Sequence, residues 1–108
     1  MPIMKFHAIK KEDVIAISTT LINELESLLK CPRNYFVLEV VTDSFVMDGA
    51  QVKGLPRVDV YMFNRGQSIQ DSFAHIVTEK FYQIGYENLD ILFIELQEKS
   101  FYENGTHF

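Results

Sequence analysis

Pro2 stands directly behind Met1, the one position at which a proline can offer a titratable nitrogen. Elsewhere in a chain that nitrogen is an amide and holds no useful proton. With Met1 removed, Pro2 becomes a secondary amine, and a free α-amino group titrates near ~8 in water. An apolar pocket or neighbouring cations lower that value and leave a neutral base near pH 7. Such a base can pass a proton from one atom of a bound molecule to another. Alternatively, Pro2 simply opens an edge strand, where proline is tolerated. Retention of Met1 removes the first option, because the Pro2 nitrogen then stays a tertiary amide.

Few other residues offer chemistry. His7, His75 and His107 lack ligand spacing, so no metal site is expected. Cys31 is the only cysteine, which excludes an internal disulfide and a Cys-rich zinc site. It reads as a reactive thiol or as a structural, buried one. Glu39, Asp43 and Asp48 read as solvated strand and turn acids. Asn104-Gly105-Thr106 matches a glycosylation acceptor, which is irrelevant without secretion. There is no phosphate-cradling glycine loop and no nucleophile elbow, and no cofactor is expected.

The elements that must position these residues follow from composition and periodicity. The chain has 108 residues, 47% apolar and 23% charged, which fits one packed domain spanning 1–108. A net charge of −5 argues against a dedicated nucleic-acid binder. No apolar run approaches the ~20 residues that cross a membrane. The start of the chain lacks a signal peptide's apolar region, so a cytoplasmic protein is expected. Residues 2–8 alternate as a strand. Residues 11–30 form a helix with Val14, Ile17, Leu21, Leu25 and Leu28 on one stripe, widened by Ile15, Ile22 and Leu29. Cys31-Pro32 ends it. Residues 35–42 are β-branched and aromatic and read as a strand. Phe45 to Met47 can extend a strand into an Asp48-Gly49 turn. Residues 57–63 alternate with Val58, Val60 and Met62 on one face. Ser68 and Asp71 resemble a capping box for a second helix bearing Ile69, Phe73, Ile76, Val77, Phe81 and Ile84. Gly85 suits its C′ position. Residues 89–96 are another strand, and the aromatic tail 100–108 reads as an edge strand or an arm.

The order repeats. Shifting the chain by 54 positions lays Pro2 on Pro56 and the first helix on the second. Two βαβ units, 2–42 and 57–97, predict an α/β (α+β) fold: a four-stranded mixed sheet with two helices on one face. The strands carry apolar residues on both sides, so the helix-free face needs another cover, most simply other subunits.

A chain that opens Met-Pro, continues as a strand and repeats βαβ resembles the tautomerase superfamily. Within it, the long-chain group of macrophage migration inhibitory factor has two such units per chain. Cys31-Pro32-Arg33-Asn34-Tyr35 resembles that group's loop into its second strand. The tail with Tyr102, Asn104 and Thr106 resembles its aromatic, Asn-containing end. Phe63-Asn64-Arg65-Gly66-Gln67 and Tyr102-Glu103-Asn104-Gly105 resemble an uncharacterised small bacterial branch. The resemblance implies a homotrimer whose sheets form a barrel, with an active site at each subunit interface built around Pro2. It implies keto–enol proton transfer by Pro2 on a small α-keto acid or enol.

Substrates of this kind carry carboxylates, so a cation is expected near Pro2. In the family topology the central strands are antiparallel. Asn64 and Arg65 then lie near Pro2, and Arg57 lies at the far end. Arg65 reads as a bidentate carboxylate anchor or as a solvated turn arginine. Lys30, Cys31 and Arg33 also come close. Phe93 and Tyr102 read as pocket walls, supplied across the interface, or as core. The chain departs from its relatives in two places. Cys31 stands where the inhibitory-factor group has a lysine, and Val37 where the 4-oxalocrotonate group has an arginine. These departures leave a second reading open: a non-catalytic trimer that binds a small acid or a protein partner.

Overall fold

The structure, a computed structural model, describes residues 1–108. Strand β1 (Ile3–His7) leads into helix α1 (Lys11–Leu29), a 3₁₀ turn at Arg33–Tyr35 and strand β2 (Val37–Val40). A hairpin of β3 (Phe45–Met47) and β4 (Ala50–Val52) follows. The second unit is β5 (Arg57–Phe63), α2 (Gln67–Gln83) and β6 (Asp90–Leu96). A final hairpin pairs β7 (Tyr102–Glu103) with β8 (Thr106–His107).

The main sheet runs β2-β1-β5-β6, parallel within each unit and antiparallel at its centre. This is the expected mixed sheet with two helices. Pro2 and Pro56 play matching parts: the Pro2 carbonyl accepts from Val37 N–H at 3.0 Å, and the Pro56 carbonyl accepts from Asp90 N–H at 3.1 Å.

Alternation places Met4, Phe6, Val58 and Val60 on one face, each wholly buried. Onto them pack Val14, Ile17, Leu21, Leu25 and Leu29 of α1 and Phe73, Val77 and Phe81 of α2. The α1 stripe is narrower than the periodicity suggests. Ile15 is 63% exposed, because Val14 and Ile17 already occupy the inward directions. Lys30, at φ 53°, closes α1 in the left-handed conformation before Cys31-Pro32.

Three local expectations need correction. Strand 35–42 shortens to β2, because the chain first makes the 3₁₀ turn. Ser68 does not cap α2. The helix begins at Gln67, two residues earlier than a Ser68 cap would set it, behind Gly66 at φ 90°, and Gln67 Nε2 engages Asp71 Oδ1 at 2.7 Å. Of the two expectations for the tail, an edge strand or an arm, the edge strand is the one set aside: the tail forms its own hairpin, turning at Asn104-Gly105.

The helix-free face is divided. Ile3 aligns with Tyr61 and Ile94 at one end, and Phe63 with Leu96. At the other end the rows are Glu39, Lys5, Asp59 and the exposed Leu92, then His7, Arg57 and Asp90. Apolar cover is therefore required chiefly over the end of this face that carries Ile3, Tyr61, Ile94 and Phe63.

Candidate functional site

The antiparallel register sets Ile3 opposite Tyr61, so β5 runs on past the start of β1. Phe63, Asn64 and Arg65 thus arrive beside Pro2 and Met1. Asn64 Oδ1 accepts from Gly66 N–H at 2.8 Å, closing a tight turn that Gly66 completes with positive φ. Arg65 Nη1 donates to the Leu29 carbonyl at 2.9 Å. That carbonyl lies in the last turn of α1, where oxygens lack helical partners and a cation is favourable. Arg65 forms no ion pair, so its remaining guanidinium donors are free for a ligand.

The amino group of Met1 sits below its ordinary value of 8.0. Burial is the main cause, the Arg65 charge adds to it, and Cys31 opposes it. The chain start, Arg65 and Cys31 therefore share one neighbourhood. Pro2 is itself buried, and its nitrogen is an amide while Met1 is attached. Cys31, 8% exposed, belongs to the core. Arg33 is turned away and donates to Asn23 Oδ1 at 2.8 Å.

A cavity of about 140 Å³ opens beside the Arg65 turn. Asn64, Arg65 and Phe93 line it, joined by Met62, Gln70 and Glu95. Phe93 serves both as wall and as core, its ring edge-on to Phe73 at 5.6 Å. Pro2 is not among the residues that line this cavity. Tyr102 does not line it either. It is 61% exposed on β7, against the His107 ring. Two wider grooves, about 360 and 580 Å³, contain none of the expected site residues.

The sequence matches the domain family DUF1904, described as of unknown function, over residues 1–107. The chain belongs to the DUF1904 family. A DUF1904 crystal structure from Sebaldella termitidis is 32% identical, with TM-score 0.91 and 100% of both chains covered. A macrophage migration inhibitory factor-like protein from Entamoeba histolytica matches at TM-score 0.71 and 18% identity, covering 99% of this chain and 98% of that one. A fused 4-OT, solved as an asymmetric trimer, matches at TM-score 0.78 and 9% identity, covering 97% and 94%. No curated protein matches in sequence. The DUF1904 chain thus has the tautomerase-superfamily fold, and some proteins of that fold are oligomeric.

Gln70 and Glu95 of this DUF1904 chain are cavity residues that sequence reasoning missed. Glu95 had a weak signal: it is the one charged residue inside the apolar stretch 91–96. A second polar cluster occupies the far end of the sheet. His7 Nδ1 lies 2.7 Å from Asp43 Oδ2, and His7 Nε2 lies 3.1 Å from Asp59 Oδ2. Arg57 Nε donates to Asp59 Oδ1 at 2.8 Å, and this bond holds Arg57 above its ordinary value. Asp43 is therefore no solvated turn acid: it ties the loop before β3 to the sheet. No group of His, Cys, Asp and Glu here has the arrangement of a metal site.

Proposed function

We propose that this protein interconverts the keto and enol forms of a small α-keto acid, with Pro2 as base and acid after removal of Met1. The observation that carries this reading is the placement of the Arg65 turn beside the chain start by the β1–β5 register, where burial and the Arg65 charge both lower an amino group. A secondary amine at Pro2, one residue further on, would be lowered for the same two reasons, which favours the neutral form that accepts a proton. In ketonisation the enol O–H loses a proton as C3 gains one, and the C2–C3 double bond becomes C2=O. No electrons enter or leave, so a base, an acid and an orienting cation suffice.

Arg65 holds the substrate carboxylate with the donors that Leu29 does not use. Asn64 and Phe93 form the adjoining wall. The working unit is a homotrimer, in which the exposed Tyr102 hairpin reaches the site of a neighbouring subunit. The test is ketonisation of phenylpyruvate enol by protein whose intact mass shows Met1 removed. Turnover abolished in Pro2→Ala supports the reading; full activity in that variant refutes it.

One observation favours a second reading. Pro2 is buried, and its nitrogen stays an amide wherever Met1 is kept. A chain that keeps Met1 would be a non-catalytic trimer whose Arg65 cavity binds a small acid. An intact mass retaining Met1, with acid binding but no turnover, would select this alternative.

A further inference from the structure

We infer that Glu95 sets the charge selection of the Arg65 cavity, which accepts small 2-oxo monocarboxylic acids and excludes dicarboxylic ones. Glu95 and Phe93 are two residues apart on β6, so their side chains share a face of the sheet. The register sets Glu95 opposite Met62, and both line the cavity with Arg65. Neither Arg65 nor Glu95 has an ion-pair partner. The Glu95 carboxylate has one side-chain contact, from Gln97 Nε2 at a long 3.4 Å.

The cavity therefore presents one unpaired cation and one unpaired carboxylate within about 140 Å³. The cavity opens to solvent and Arg65 and Glu95 are both exposed, yet its size keeps the far end of a small ligand anchored on Arg65 within a Debye length of Glu95. Its first carboxylate goes to Arg65. A second carboxylate would meet the Glu95 carboxylate, and like charges a few ångströms apart repel even in water. A neutral chain end lies instead against Met62 and Phe93. Enol or hydroxyl protons find acceptors in Glu95 and in the amides of Asn64 and Gln70.

This inference rests on the cavity being the substrate site, as proposed above, and not on the chemistry of Pro2. The test is calorimetric titration of the full chain at fixed ionic strength with 2-oxopentanoate and 2-oxoglutarate, which differ by a terminal methyl against a carboxylate. Wild type should bind the monoacid at least about tenfold more tightly, and Glu95→Gln should reduce that ratio below about threefold. Glu79→Gln removes the same charge from the exposed side of α2 and should leave the ratio unchanged. The inference is overturned if wild type binds both acids equally, if neither binds, if Glu95→Gln leaves the ratio in place, or if Glu79→Gln lowers it equally. Binding needs no proton transfer. Loss of the Pro2 reaction with the affinity ratio intact would therefore reject the proposed function alone.

Discussion

Arg65 couples three features: the last turn of α1, the chain start and the cavity beside Asn64. Replacing it with glutamine removes the charge-assisted bond proposed to hold the substrate, typically about 1.5–3 kcal/mol, so KM for a 2-oxo acid should rise roughly tenfold or more. The same change removes a cation that lowers the amine. Under the proposed mechanism activity requires the neutral Pro2 amine, so kcat/KM should rise with pH, and in Arg65→Gln that rise should move to higher pH. An unmoved pH profile would separate Arg65 from the base. Tyr86 gives an independent check on the local structure. Burial first, and then its hydrogen bond to Asp13, push its hydroxyl up to about 12. Its folded value lies above the ordinary value of 10.0, so its stabilising contribution holds below pH 10 and fades as pH rises towards 12. Absorbance titration should show a late tyrosinate phase that Tyr86→Phe removes. At this scale the approach of Arg65 to the chain start was legible through the topology that the resemblance implied, because antiparallel central strands bring the end of β5 to the start of β1. Glu95 and Asp43 were not. Their roles depend on strand register and on a contact between residues 36 apart, which periodicity does not report.

The two βαβ units were legible because α1 and α2 keep apolar stripes and each strand alternates. Helix starts were less so. Ser68 and Asp71 have capping spacing, yet the Asn64 turn and Gly66 start α2 earlier and leave Ser68 inside the first turn. The β3–β4 hairpin shows how an element can hang on one residue. A Cβ on Gly54 would lie 2.2 Å from the Phe45 ring, so the ring or the loop must move. Gly54→Ala should cost about 1–3 kcal/mol in urea unfolding. Asp43→Asn should loosen the same segment from the sheet end, because His7 then loses a carboxylate partner. Faster amide exchange at Phe45–Val52 than in wild type would register it, and unchanged exchange would show that the tie does not hold the hairpin.

The whole molecule is more extended than a self-sufficient monomer of its size. Its surface is 7035 Å² for 12.6 kDa, against about 6,200 Å² from the usual scaling. Its radius of gyration is 14.9 Å, where about 13 Å is typical of this length. Exposed Val46, Met47, Tyr102 and Phe108 on the two hairpins account for apolar surface that subunits can cover. Light scattering at micromolar concentration should therefore give about 38 kDa, three copies of the 12.6 kDa chain. The need for cover was legible in the strands, but its extent was not, because one end of the helix-free face carries charge pairs. No helix is long and apolar enough to cross a membrane. The most direct measurement is ketonisation of phenylpyruvate enol by trimer whose mass confirms loss of Met1, beside Pro2→Ala prepared identically. Turnover in the first and background rate in the second is the predicted result. Equal rates in the two proteins would contradict proton transfer by Pro2.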